Sequence, residues 1–305
     1  MRISGFSFAR NANKLYYPIV ESIRSILPIC DEFVLALGTG DEDDTTRDLI
    51  ESIGDPKIKI IETHWPAWEA GASHVFAQQT NIALEQCRGD WCFYLQCDEV
   101  VHEEDLAAVT AQCKAHLVNK EVEGLLFDYR HFWGDYDHHH LNHAWYPQEI
   151  RIIRNRIDVQ SYRDAQSFRI NDRKLNVARS GAKIYHYGWV RPPQLMQEKR
   201  RAFTSTYVGQ QAGKAEFAAA PPIFDYGDLR RITRFTGTHP AVMQKWIAQF
   251  DWRQELDYCR KSKARFKHDR FKYRLLTFIE QFFLAGRQLF GFKNYRLLRS
   301  RGIPA

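Results

Sequence analysis

The chain has 305 residues, 44% of them hydrophobic and 14% aromatic, with a net charge of +6. That length fits one large domain, or one domain with a sizeable extension, and the apolar content supports a real core. No run of about 18 apolar residues occurs, so no transmembrane helix is expected, and the N-terminus lacks the long apolar centre of a signal peptide. The charge is uneven. Residues 251–305 hold 14 Lys/Arg against 5 Asp/Glu, whereas the remainder holds 29 against 32. The basic character therefore belongs to the C-terminal part, where it suits an anionic surface. The six cysteines form no Cys-x-x-Cys pair and no zinc-ligand spacing, which points to reduced thiols in a cytoplasmic protein.

Residues 2–8 read as a first strand, followed at the strand-to-helix turn by Arg10, Asn11 and Asn13. Leu15, Ile19, Ile23 and Ile26 then repeat at helical spacing up to Pro28. Glu32 to Leu37 is a buried strand that runs into the Gly- and acid-rich loop 38–46, containing Asp41. A short helix, a third strand around Ile58, Ile60 and Ile61, and a loop with Trp65, Pro66, Trp68 and Gly71 come next. The helix from Ser73 to Cys87 contains Asn81 and leads into Trp91–Cys97, a continuous apolar run of the kind buried on both faces of a parallel sheet. Strands alternating with helices in this way imply a parallel sheet with right-handed crossovers.

The central strand emerges at Gln96-Cys97-Asp98-Glu99. In open α/β sheets ligands bind beyond the carboxyl ends of strands, where carboxylates offer hard oxygen ligands to a divalent cation. A helix at 103–117 and a strand at 124–129 lead to the stretch 130–147, dense in His, Trp, Tyr and Asp. There His138, His139 and His140, with His131, His143, Asp135 and Asp137, look like a metal cluster but lack helical zinc spacing, and a surface loop facing a cleft is an equal reading. Glu149 and Asp164 are candidate general bases. His186 ends a late strand and offers a nitrogen ligand. After Pro192-Pro193, helices are expected over 194–208 and 241–250. Toward the C-terminus, Leu275, Phe278, Ile279, Phe282 and Phe283 fall at helical spacing behind a basic series that begins at Lys261. That helix suits either an anionic membrane surface or packing on the catalytic body.

In this order the features resemble the family 2 glycosyltransferases of the GT-A fold, bacterial type, over roughly residues 1–190. The likeness lies in Arg10-Asn11-Asn13 after the first strand, in the acidic loop after the second, and in Asn81-Ile82-Ala83-Leu84 with Arg88-Gly89-Asp90-Trp91 before the family's Asp-x-Asp. That motif reads Gln96-Cys97-Asp98 here, so an amide replaces the first carboxylate; related bacterial members carry a similar Leu-Gln-x-Asp-Glu. The resemblance implies a GT-A-like, mostly parallel α/β sheet with helices on both faces. It implies a catalytic domain over 1–193 and a mostly helical basic extension over 194–305. It assigns the nucleotide-sugar to Arg10, Asn11, Asp41, Asn81, Gln96 and Asp98. A divalent cation, Mn2+ or Mg2+, would lie on Asp98 with Glu99 and His186, and Asp164, or Glu149, would act as the base. The implied reaction is inverting transfer from a nucleotide-sugar, a UDP-sugar by family habit, to a glycan or lipid-linked acceptor at the cytoplasmic face of a membrane contacted through 261–305. The alternatives are a non-catalytic relative that binds nucleotide-sugar or glycan, and a nucleotidyltransferase. The latter would want a Gly-rich basic phosphate loop near the N-terminus, where only Arg10 stands. No nucleic-acid module is recognisable, so no nucleic-acid partner is expected.

Overall fold

The computed structural model describes residues 1–65, 74–156, 158–208 and 220–298. Pro66, Trp68, Gly71 and the end of the basic tail lie outside the described residues. Strands β1 (Ile3–Ala9), β2 (Glu32–Gly38), β3 (Ile58–Thr63) and β4 (Trp91–Tyr94) pair in parallel in the order β3-β2-β1-β4. They alternate with α1 (Ile19–Ile26), α2 (Thr46–Glu51) and α3 (His74–Glu85). β2 is buried along its whole length because successive side chains enter different cores. Phe33, Leu35 and Leu37 join the cluster that takes Ile19, Ile23 and Ile26 of α1. Val34 and Ala36 join Phe76, Ala83 and Leu84 of α3 on the opposite face.

The sheet turns mixed beyond β4. After β5 (Glu99–Val101) and α4 (Leu106–Ala115) come β6 (Gly124–Trp133), β7 (His138–His140), β8 (Gln148–Arg154), β9 (Val159–Tyr162), β10 (Ser167–Ile170) and β11 (Arg173–Trp189). β8 lies antiparallel between β4 and β6, while β11 runs parallel to β6 and antiparallel to β5. This is the GT-A-like α/β architecture that the sequence led us to expect, with helices on both faces, but the sheet is mixed and not mostly parallel: beyond β4 most neighbours pair antiparallel. The chain leaves β1 toward β2 on one side, and β4 flanks it on the other. Such a reversal opens a crevice at the carboxyl ends of the two strands. Arg10 and Asn11 follow β1, and Gln96–Asp98 follow β4, at that crevice.

Beyond β11 come α5 (Pro193–Val208), β12 (Thr233–Arg234), the single turn α6 (Gln244–Ile247), α7 (Phe271–Phe283) and β13 (Tyr295–Leu297). The helix expected over 241–250 is thus one α turn preceded by a 3-10 turn. β13 pairs in parallel with β11, and β12 pairs with β7, so the C-terminal part returns to the sheet at two places.

α7 sits the opposite way round from a helix that packs by its apolar stripe. Its single buried residue is Glu280, which bonds His143 Nδ1 at 2.6 Å, and the Thr277 hydroxyl accepts from the His143 amide. Phe271, Leu275, Phe278, Phe282 and Phe283 face outward, with Phe282 and Phe283 more than 70% exposed.

Candidate functional site

A cleft of about 590 Å³ opens at the crevice between β1 and β4. Its lining includes Arg10, Asn11, Gln96, Asp98, Asp164 and His186 from the sequence-derived set, with aromatic walls from Phe8, Trp65, Phe76, Tyr146 and Trp189. Four other expected residues do not line it. Asp41 sits on an exposed loop, where Lys14 holds its carboxylate at 2.7 Å and its amide donates to Asn11 Oδ1. Asn81 accepts from the Ser161 amide at 2.7 Å and so ties α3 to β9. Glu149 is buried, with one oxygen accepting from the Ser167 hydroxyl and the other from Asn294 Nδ2, a structural setting without access to the cleft.

Glu99 is the fourth. It was expected beside Asp98 on a cation, but its two oxygens receive Arg151 Nε and Nη2, each at 2.7 Å. The Tyr129 hydroxyl and the Gln96 amide donate to the same carboxylate. A carboxylate with these donors has no oxygen to offer a metal. Glu99 instead anchors the strand-end loop, and Arg151 extends the anchor by donating Nη1 to the carbonyl of Gln166.

That carbonyl belongs to the turn that presents Asp164. β9 and β10 pair antiparallel, with Tyr162 opposite Ser167. Asp164 stands at the tip between Arg163 and Ala165, which have φ of 56° and 61°. Left-handed backbone at a non-glycine residue is costly and persists where surroundings enforce it. Here Arg151 holds Gln166, and Gln96 Nε2 approaches the Ala165 carbonyl at 3.4 Å. The Gln96 side-chain amide therefore bridges the strand-end loop to the Asp164 turn.

Asp98 is nearly buried, and Lys199 of α5 donates to its Oδ2 at 3.2 Å and to the Gly188 carbonyl at 2.8 Å. Burial alone would raise the Asp98 pKa, but the positive charges of Lys199 and Arg191 outweigh it and hold the group at about 2. Burial, reinforced by Arg191 and opposed by Asp98, brings Lys199 down to about 7. Lys199 escaped the sequence reading, yet a signal was present. Met196, Lys199, Arg200 and Phe203 recur at i, i+3, i+4 and i+7, one face of α5, and all four line the cleft.

His186 completes this corner, with Nε2 3.8 Å from Asp98 Oδ1. Burial pushes both His186 and His131 toward the neutral form. His131 Nε2 lies 2.8 Å from the Tyr146 carbonyl, which can only accept, so this nitrogen carries the proton. His131 Nδ1 then accepts from His186 Nδ1–H at 2.9 Å, and His186 Nε2 keeps its lone pair beside Asp98. Gly188 preserves the space between them. A Cβ there would lie 2.6 Å from His186 Nε2 and 2.7 Å from Asp98 Oδ2. One carboxylate and one oriented imidazole with a hydrogen-bonded partner behind it are donors that could hold a divalent cation, which would there supply positive charge to a bound anion.

The histidine-rich stretch has another use. His139 and His140 on β7 are buried, and among the described residues no three His, Cys, Asp or Glu side chains are grouped to share a metal. His140 stacks on Trp145 and lies against Trp133 and His268, while His139 meets Phe132 and Phe235. The stretch is neither a metal cluster nor a surface loop, but an aromatic core beside the cleft. Burial lowers His139 to about 4 and also lowers His131, His140 and His268. Groups depressed in the fold bind protons more readily when unfolded, so stability is full above about pH 6.5 and falls as pH drops toward 4. Denaturant titrations from pH 7 to 5 should show a loss approaching about 1.4 kcal/mol per pH unit for each histidine that protonates only on unfolding.

No protein-family model matches the sequence, and no curated protein matches it. Among solved structures, residues 1–349 of S. aureus TarS in complex with UDP-GlcNAc share 14% identity, covering 72% of this chain and 72% of that chain, at a TM-score of 0.37. Glucosyl-3-phosphoglycerate synthase from Mycobacterium tuberculosis, in complex with Mn2+, UDP and phosphoglyceric acid, shares 16% identity over 43% of each chain, at a TM-score of 0.29. Mannosyl-3-phosphoglycerate synthase from Rubrobacter xylanophilus shares 16% identity over 43% of this chain and 41% of that chain, at 0.30. Scores of this size equate no residue of this chain with a residue of theirs.

Proposed function

We propose that this chain is a glycosyltransferase that moves a sugar from a nucleotide-sugar donor to a hydroxyl of a glycan or lipid-linked acceptor. The observation that carries the reading is the convergence, in one cleft at the β1/β4 crevice, of the Asp98–His186 corner and the Asp164 turn. The diphosphate of the donor lies at Asp98, with Lys199 as a cation beside it. The base and ribose reach toward Arg10, Asn11 and the aromatic wall of Phe8, Trp65 and Phe76, and a UDP-sugar is the donor we favour. Asp164 takes the acceptor hydroxyl proton as the oxygen attacks the anomeric carbon, and the carbon–oxygen bond to the diphosphate breaks with its electron pair on the leaving group, inverting the centre. Where Mn2+ or Mg2+ is bound, Asp98 and His186 hold it, and it offsets the charge developing on the diphosphate. Calorimetry with UDP, GDP and CMP, with and without Mn2+, tests the assignment. Tight binding of one nucleotide, with slow hydrolysis of its sugar donor, is expected; no binding of any of the three overturns it.

The lipid-linked part of this reading rests on α7. No helix among the described residues is long and apolar enough to cross a membrane. Phe278, Phe282 and Phe283 nevertheless face outward in a segment that also carries Arg270, Lys272, Arg274 and Arg287. Exposed aromatics rimmed by cations match an anionic bilayer surface, which receives the rings at the headgroup boundary and pairs with the charges. On this reading the protein works peripherally at the inner face of the cell membrane. Sedimentation with vesicles containing phosphatidylglycerol should show binding that pure phosphatidylcholine does not support. Replacing Phe278, Phe282 and Phe283 together with serine should weaken it at least about tenfold, given about 1.5–3 kcal/mol per buried aromatic ring. Equal binding by this triple variant would remove α7 as the contact.

A further inference from the structure

The ammonium of Lys199 lies on the same carboxylate that a divalent cation would use. Its side chain is 14% exposed, and that of Asp98 8%. A buried ammonium is retained only where acceptors receive it, and here they are Asp98 Oδ2 and the Gly188 carbonyl. The rings of Tyr17 and Phe203 flank it at 4.9 and 5.4 Å. Arg191 adds a permanent positive charge to this corner, with its guanidinium bonded to the carbonyls of Leu15 and Gly188. Against these two cations the corner holds, among the described residues, a single carboxylate, because Gln96 is neutral and Glu99 is committed to Arg151.

The charge count has a consequence. A divalent cation entering alone would join Lys199 and Arg191 around one negative group, at low dielectric, where such repulsion is strong. A diphosphate reverses the balance, because its oxygens accept the Lys199 ammonium and leave Asp98 to the metal. We infer that Lys199 is an internal counter-ion for Asp98, which occupies the carboxylate while the donor is absent, competes there with a divalent cation, and passes to the donor's diphosphate on binding. Metal and diphosphate therefore bind cooperatively, each enlarging the affinity of the other. The inference deepens the nucleotide-sugar reading and rests on it for the diphosphate, but the competition at Asp98 is testable without any nucleotide.

The experiment measures free Mn2+ by electron paramagnetic resonance during titration of the full chain, alone and with inorganic pyrophosphate as a base-independent diphosphate. The wild type should bind Mn2+ weakly alone and about tenfold or more tightly with pyrophosphate, the range typical of coupled sites. Lys199→Met keeps the stem that packs on Tyr17 and Phe203 but removes the charge. It should bind Mn2+ alone at least about tenfold more tightly than the wild type and lose most of the gain from pyrophosphate. Lys199→Gln serves as a second neutral variant, with circular dichroism and thermal melts confirming the fold of each. Asp98→Asn should abolish protein-bound Mn2+ in either background, leaving the free-ion signal at the level of protein-free buffer with the same pyrophosphate. Unchanged Mn2+ affinity in both folded Lys199 variants, or Mn2+ binding that survives Asp98→Asn, overturns the inference. A separate titration with UDP, GDP and CMP reports on the nucleotide reading alone, so its failure is distinguishable from failure of the counter-ion.

Discussion

Glu99→Gln is expected to lower folding stability by about 3–5 kcal/mol, the cost of leaving one partner of a buried ion pair without its counter-charge. Glu99 and Arg151 are both essentially inaccessible, and the guanidinium meets the carboxylate through two bonds of 2.7 Å. Glutamine preserves the shape and can accept once, but it leaves Arg151 charged and turns one acceptor into a donor that faces the guanidinium. The loss extends past the pair. The Tyr129 hydroxyl and the Gln96 backbone amide donate to different oxygens, so one of them loses its acceptor, and the Arg151 bond to the Gln166 carbonyl loses its support. Transfer activity should fall even where the variant is folded, because Asp164 is held by that turn. Adding Arg151→Met should recover part of the stability without recovering activity, since apolar replacement of a whole buried pair is often neutral. Urea unfolding of the two variants measures the first effect. A loss below about 1 kcal/mol, the range of exposed pairs, would show that water screens this one.

The sequence made the parallel half legible because burial on both faces leaves continuous apolar runs, as at Trp91–Leu95, and because each run is punctuated by helices with clear spacing. The crevice after β1 and β4 followed from that order. The second half was harder to read. β9 and β10 are four-residue strands whose pairing depends on the strained turn between them, and β11 is a 17-residue strand with bulges and mixed polarity. Neither has a local pattern that a period of two exposes. The acidic pair Asp98-Glu99 was visible, but its division of labour was not. Asp98 closes the turn after β4 and Glu99 opens β5, so one carboxylate lines the cleft and the other meets Arg151, 52 residues away in the chain. The histidines of β7 misled by composition. Density of imidazoles suggests a metal, whereas their burial among Phe132, Trp133 and Trp145 makes them packing groups. For α7 the periodicity identified the helix, but not which side meets the protein. The hydrogen bonds of Glu280 and Thr277 to His143 decide that.

Asp164→Asn is expected to reduce kcat by about 10²–10⁴, the usual contribution of a positioned general base, with nucleotide affinity retained. Asparagine matches the size of the side chain, and residues in left-handed backbone flank the position rather than occupy it, so the turn should survive the change. What is lost is the ability to take a proton from the acceptor hydroxyl. Donor binding depends on the far side of the cleft, on Asp98, Lys199 and the β1 end, and should stay as in the wild type. Asp98→Asn should show the reverse split, with weakened nucleotide and metal binding alongside the loss of turnover. Under the proposed function the contrast would separate the two carboxylates that line the cleft, Asp98 acting toward the leaving group and Asp164 toward the attacking hydroxyl. Single-turnover transfer with calorimetric donor affinities measures both quantities in each variant. Full turnover in a folded Asp164→Asn protein would move the base elsewhere, and Glu149, sealed by Ser167 and Asn294, could not replace it without breaking those bonds.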